Sequence, residues 1–456
     1  MADETWQIAQ YCSEGAPLDY PGVQRMAEEA VLDWVACTMA GASDPRVAPL
    51  FQMLERRPAG DAWIFGRDGG GSAFDAAFLN GASSHVLELD DIERTAYIHP
   101  GVATIAAAMA LADEDPDLPT HTFLKAVVMG YEVAIRVGRS INPSHYEWWH
   151  TTGTAGALGA AAAAAVILGL DVERTAWALG NAGTEAAGLW QFNQDGAMTK
   201  PYHVGMAALH GVMAALAAKV GFSGPHRILE GQQGLLKAMS KDPHPERLTE
   251  GLGEEAPLIL GISRKRWASC RFTHPSIDAM MAIREPKRSD EIESIRLRTF
   301  RTAVRVAGHP EPQTPQEAKF SMKYCAALAW VTGDVGLRSF DSVPMARVSD
   351  ILCKIQVEES DAYDALMPQK MPGSARVTWR DGTSMEKEVL NPEGDPENPI
   401  VGEKLDGKVR SMLRGMVSEA RMTALISAAR ASREVPSYQK WIAAIRVGKE
   451  VEDERQ

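Results

Sequence analysis

The chain of 456 residues lacks the signatures of most readily recognised classes. Its five cysteines, Cys12, Cys37, Cys270, Cys325 and Cys353, contain no CxxC pair. So sparse and odd a set speaks against a disulfide framework and against an iron–sulfur cluster. The histidines are dispersed and no HExxH is present, so no metal site is expected. GxGxxG, a Walker loop and GxSxG are also missing, which removes the usual dinucleotide, P-loop and nucleophile-elbow readings. Positive charge is in deficit: 47 Lys and Arg stand against 60 Asp and Glu, a net charge of −13. That balance argues against nucleic acid or anionic membranes as partners. It leaves room for a small anionic substrate in a locally cationic pocket. There is no long Leu/Ile-rich run. The charge-free stretch from Trp148 to Leu170 is rich in Ala and Gly and holds His150 and three threonines. It reads as a buried helix with close neighbours, not a membrane span. The N-terminal MADETWQIAQ has no signal-peptide pattern, so a cytoplasmic, reduced protein is expected.

What is present is a large helical protein. With 45% hydrophobic and 23% charged residues the chain can bury a core, and its length predicts two domains. Helical spacing runs over Pro21–Ala40, Phe74–Leu87, Val102–Ala112, Phe123–Val137, Gly156–Leu168, Asp171–Ala187, Ala207–Val220 and Gly234–Met239. Small residues recur throughout, which predicts closely packed helices. After about Gly261 the texture changes. Glu291–Phe300, Asp350–Glu358 and Ser374–Trp379 alternate as strands do, and Asp381-Gly382 predicts a hairpin into Met385–Leu390. Pro275–Arg284 and Gln316–Val331 read as helices between them, and helices resume from Leu405. The fold expected is mainly α: a large all-helical domain (1–264) with an inserted, smaller α+β lid domain (265–394). The C-terminal helices (395–456) then return to the first domain. The charged end Gly448–Gln456 is expected to fray.

Four segments concentrate polar residues in apolar surroundings. The first runs from His85-Val-Leu-Glu-Leu-Asp-Asp91 to His99-Pro100. Glu88 and Asp91, spaced i,i+3, share a helix face if the helix persists, although by composition alone a solvated helix end before a loop is the better explanation. His99 stands at a helix entrance. In the second, His150 precedes Thr151-Thr-Gly-Thr154, where backbone N–H groups could bind a carboxylate or the threonines could merely cap a helix. The third, Met198-Thr-Lys-Pro-Tyr-His203, could aim Lys200 at a substrate anion from a helix start, although a lone lysine is more often a solvated surface residue. The fourth, Lys265-Arg-Trp-Ala-Ser-Cys270-Arg-Phe-Thr-His274, is either a site or a basic linker.

Taken together, in this order, these strings resemble the active-site segments of the MmgE/PrpD family. Asn80-Gly-Ala-Ser-Ser-His-Val-Leu-Glu-Leu-Asp-Asp with His99-Pro-Gly resembles its first segment. His150-Thr-Thr-Gly-Thr-Ala-Gly resembles its second and Met198-Thr-Lys-Pro-Tyr-His-Val-Gly its third. Lys265-Arg-Trp-Ala-Ser-Cys and Ala318-Lys-Phe-Ser-Met-Lys-Tyr324 resemble its lid segments. The resemblance implies a helical domain with a smaller lid, a site between them, no cofactor, no metal and a homodimer. It implies carbanion chemistry beside a carboxylate, as in 2-methylcitrate dehydratase, cis-aconitate decarboxylase and iminodisuccinate epimerase.

Carried over by position, His99 and His150 are acid/base candidates. Lys200 is a catalytic residue that stabilises an enolate, and Lys265 shares its substrate carboxylate. Cys270 and Tyr324 complete the catalytic set. Glu88, Asp91, Thr154, His203, Arg266 and His274 are substrate-binding candidates. Three positions depart from the decarboxylase-like pattern. Glu88 replaces an Asp, Ile92 replaces Thr or Ser, and Cys270 replaces a His but matches epimerase-like members. Flanked by Lys265, Arg266 and Arg271, Cys270 could be an acidified thiol acting as a base, or a small packing residue. The resulting expectation is a lyase acting on a small di- or tricarboxylate, as a dehydratase before a decarboxylase. An α-proton epimerase and a silent carboxylate-binding paralogue are the alternatives. Tyr97, Trp148, Trp190 and Phe192 could shape the pocket or simply pack.

Overall fold

The computed structural model describes residues 3–309, 311–342 and 345–446. The expected fraying at Gly448–Gln456 lies outside them. The chain is mainly α-helical with one small four-stranded sheet. At its centre is the Thr151–Ile167 helix, buried on nearly every side. A helix that is apolar all round belongs inside a bundle. It packs against the Thr120–Ile141, Thr199–Lys219, Pro100–Ala112 and Val172–Thr184 helices. The glycines set how close these axes come. A Cβ on Gly159 would lie 2.7 Å from the Gly130 carbonyl oxygen, and one on Gly211 would lie 2.4 Å from the Ala160 Cβ. Ala and Gly therefore occur at these crossings because larger side chains would force the helices apart.

The sheet holds β1 (Ile292–Thr299), β2 (Ile355–Glu359), β3 (Gly373–Trp379) and β4 (Ser384–Val389) in the order β2-β1-β3-β4. β1 pairs parallel with β2 and antiparallel with β3, with Leu297 opposite Val357 and Ala375. The expected hairpin joins β3 to β4, with Gly382 at φ 81°. The His274–Ala282 helix covers β3 and β4, and the Met322–Thr332 helix packs on it. From Glu403 onward the helices pack back on the Val23–Gly41 and Thr120–Ile141 helices. Among the described residues, no helix is long and apolar enough to cross a membrane.

Local differences from the sequence reading have simple causes. The third polar segment lies inside a helix, since Thr199–Lys219 begins eight residues before the expected Ala207. Pro201 is tolerated there because the first turn needs no N–H from it. The expected strand at Asp350–Glu358 is a helix, Met345–Leu352, followed by the shorter β2. The expected helix at Gln316–Val331 is broken in two around Phe320–Ser321, where Ser321 caps the second half.

Candidate active site

Three separated stretches of chain meet at one buried point. The Ala73–His85 helix ends at His85, so Glu88 and Asp91 do not share a helix face. Glu88 takes φ 59°, a left-handed conformation that disfavours a residue with a Cβ. Its neighbours hold it there. The Leu87 carbonyl accepts from Lys319 Nζ at 2.9 Å and the Leu89 carbonyl from Lys408 Nζ at 2.7 Å. Three residues on, Ile92 forms a two-way backbone bridge with Ser263, at 2.8 and 2.7 Å. That bridge sets Lys265 beside Glu88. Gly394 supports the same stretch: its own φ is 98°, its carbonyl accepts from Arg264 N, and a Cβ would overlap the Arg264 carbonyl.

The result is one carboxylate between two buried ammoniums. Lys265 Nζ donates to Glu88 Oε2 at 2.8 Å, and Lys200 Nζ makes a still shorter contact with Oε1. Lys265 is 0% exposed, Glu88 2% and Lys200 3%. The Lys200 ammonium also lies over the Phe320 ring, 5.3 Å from its centroid. Burial by itself would raise the Glu88 carboxyl, but the two lysines outweigh it and hold the group well below its usual range. Burial likewise pulls Lys265 down, and Glu88 and Asp90 more than restore it. Lys265 thus stays charged in a buried site, and both ammoniums have donors to spare.

Beside this triad stands a group of imidazoles. His85 Nδ1 and His99 Nδ1 both approach Asp90 Oδ2, at 2.8 and 2.7 Å, and His99 Nδ1 also meets the Asp91 carbonyl at 2.7 Å. These oxygens only accept, so each Nδ1 carries the proton and each Nε2 presents its lone pair. Burial lowers His99 to about 3 despite Asp90, so its imidazole is neutral. An Asp–His pair with a free Nε2 is the arrangement of a general base. His150 is buried, with neither ring nitrogen hydrogen-bonded. Burial, then Lys200, holds it well below the usual value. Trp190, Phe192 and His203 surround its ring. The ligand-type atoms of His85, Asp90 and His99 lie within 4.8 Å of one another, close enough to hold an ion. Here they are engaged with one another as ordinary hydrogen bonds.

Of the residues singled out from the sequence, Glu88, His99, His150, Lys200, Lys265 and His203 come together. Others go elsewhere. Asp91 turns away, accepting from Tyr131 Oη at 2.5 Å and from Gly101 N at 3.2 Å. Thr154 is hydrogen-bonded with His145 Nε2 at 2.8 Å and donates to the Thr151 carbonyl. Arg266 is exposed, over Trp267 and near Glu393. His274 is bonded to Arg271, which is ion-paired with Asp395. Tyr324 is buried with its ring against Phe340. Cys270 stays beside the cluster, close enough to feel Lys265, Glu88 and Lys200, but it is not an acidified thiol. Burial raises it to about 11 although Lys265 pulls the other way, and its flanking arginines point away. Trp190 and Phe192 do face the site, Tyr97 packs on Tyr146 and Phe272, and Trp148 is exposed.

Sequence reasoning passed over His85 and Asp90 as site residues, though both stand in the first motif. The signal was the crowding of three acids within four residues, which is stable when buried only if cations and imidazoles oppose them.

A family model described as the MmgE/PrpD N-terminal domain matches residues 6–248, and one described as the MmgE/PrpD C-terminal domain matches 267–432. The chain is similar to the cis-aconitate decarboxylase-like protein oryM of Aspergillus oryzae, 28% identical over 451 residues covering 92% of both chains. It is similar to cis-aconitate decarboxylase of Aspergillus terreus, 26% identical over 447 residues covering 92% of this chain and 91% of the other. It is also similar to cis-aconitate decarboxylase of Mus musculus, 29% identical over 378 residues covering 77% and 74%.

Proposed function

The chain belongs to the MmgE/PrpD family, and from that membership and the geometry of its buried cluster we propose that it is a lyase that decarboxylates a small unsaturated di- or tricarboxylate. The observation that carries the reading is the pair of charged lysines, Lys200 and Lys265, sharing Glu88 beside neutral imidazoles. The lysines bind one substrate carboxylate and stabilise the enolate that grows on it. The imidazole side offers no fixed cation, so a carboxylate placed there is poorly stabilised and its loss as neutral carbon dioxide is favoured. The carbon–carbon bond to that carboxylate breaks, and its electron pair passes into the enolate. An N–H of His150, or of His99 once its Nε2 has taken up a proton, then protonates the carbon. The named activity of the relatives favours this reaction over dehydration and over epimerisation. Glu88, Ile92 and Cys270 still distinguish the pocket, so the acid accepted is expected to differ in shape from cis-aconitate.

The test is incubation with cis-aconitate, substituted unsaturated tricarboxylates and the corresponding hydroxy acids in deuterium oxide. Carbon dioxide release with one deuteron placed on carbon supports the proposal. Water loss from a hydroxy acid without carbon dioxide makes the protein a dehydratase. Exchange without net product makes it an isomerase, and ligand-induced thermal stabilisation alone makes it a binding protein.

The expected homodimer is retained as part of the proposal. Met213 and Val220 stand seven residues apart at the C-terminal end of the Thr199–Lys219 helix, with Phe222 just beyond, an outward seam of the kind that pairs with another helix. They are 51%, 83% and 66% exposed. Sedimentation at micromolar concentration should give twice 49.5 kDa; a monomer that Met213→Glu leaves unchanged overturns it.

A further inference from the structure

Four imidazoles stand in file between the lysine–carboxylate cluster and the surface. Ring centroids are 4.7 Å apart from His99 to His85, 5.7 Å from His85 to His150, and 5.7 Å from His150 to His203. The first three rings are buried. His203 lies on the Thr199–Lys219 helix and lines an open cavity of about 610 Å³ with Trp149, Phe192, Tyr202 and Met206. Along the file His85 Nε2, both nitrogens of His150 and His203 Nδ1 have no hydrogen-bond partner among the described residues. Buried polar atoms are rarely left so, and four of them in one line are better explained by a function than by packing. A Cβ at Gly188 would stand 3.2 Å from His203 Nδ1, so glycine there keeps that nitrogen clear. Burial keeps His99, His150 and His203 neutral, and a neutral imidazole both donates and accepts. Centroid separations of 4.7 to 5.7 Å leave room for one bridging water between successive rings.

We propose that His203, His150 and His85 form a proton relay that carries one proton per turnover from solvent at the cavity to the His99–Asp90 pair. The proposal rests on the decarboxylase reading, because replacing a carboxylate by hydrogen consumes a proton. The carbon keeps the electron pair of the broken bond and takes a proton from an imidazole N–H. That imidazole takes one from the next ring, and His203 takes one from water. His85 and His203 act through the other rings and are positioning residues, not groups that touch substrate.

The experiment uses the full-length protein with 15N-labelled histidine and compares wild type with His203→Phe and His203→Gln. Solvent exchange of the His85 and His150 ring protons is followed by nuclear magnetic resonance. Exchange should slow about tenfold or more in His203→Phe, while amide protection in the Thr151–Ile167 helix stays unchanged. In parallel, with cis-aconitate as probe, kcat should fall by about tenfold or more with little change in KM, and free imidazole should restore it. Ring exchange indifferent to His203 overturns the relay, whatever kcat does. Slowed exchange in a protein that releases no carbon dioxide leaves the relay standing and removes the reaction assigned above.

Discussion

Replacing Glu88 by Gln would isolate the one charge on which the site depends. Size, reach and backbone preference are kept, and only the negative charge is lost. In the native site the carboxylate lies 2.8 Å from Lys265 Nζ and closer still to Lys200 Nζ. At 2.8 Å and an effective dielectric of about 20, one such contact is roughly 6 kcal/mol of gross attraction. Most of that offsets the desolvation of the two ammoniums. The variant leaves both cations uncompensated, and breaking a buried pair from one side costs about 3–5 kcal/mol. Proton loss from one lysine limits the cost to that range. With an unfolding entropy of about 2.1 cal/mol/K per residue, the midpoint should fall by about 3–5 °C. Turnover should fall much further, because a deprotonated lysine no longer stabilises an enolate. The pH dependence has a definite sign. The folded Glu88 carboxyl lies well below its usual value, so its stabilisation is present above about pH 4.3 and is lost as pH falls through the lower folded value. The gap between wild type and Glu88→Gln should therefore be full at pH 7 and undiminished at pH 5. Thermal melts at both pH values, with turnover at pH 7, make the assay. A variant with wild-type midpoint and turnover would refute the account of the site.

Asp91 works in the opposite direction. Burial raises it to about 7, against the pull of Tyr131, so its favourable neutral form is held below about pH 3.9 and lost as pH rises through 7. Asp91→Asn should match wild type near pH 4 and exceed it at pH 8 by about 4 kcal/mol; urea unfolding across that range should be flatter in the variant. Cys270, buried and raised to about 11, should resist alkylation in the native protein while the exposed Cys353 reacts. Peptide mass spectrometry after brief iodoacetamide treatment checks this, and early labelling of Cys270 would reinstate it as an active thiol.

The sequence alone determined the class of fold, because the relevant signals are local and periodic. Helical spacing, alternation in β1 and β3 and the Asp381-Gly382 turn are properties of neighbouring residues. Where a local pattern was ambiguous the reading failed, as at Asp350–Leu352, where alternation lies in an amphipathic helix. Motif order located the polar segments, including His99, His150, Lys200 and Lys265. Tertiary structure decided what each does. Glu88 and Asp91 are three residues apart in one acidic string, yet one sits between two lysines and the other beside a tyrosine. The left-handed backbone at Glu88 divides them, and it is held by Lys319 and Lys408, 231 and 320 residues further along the chain. Cys270 is surrounded by basic residues in the sequence, but its thiol is raised because burial outweighs Lys265, while Arg266 turns to solvent and Arg271 is spent on the buried Asp395. Charge proximity along a chain does not state the dielectric or the direction of a side chain, and those two quantities set the chemistry of this site.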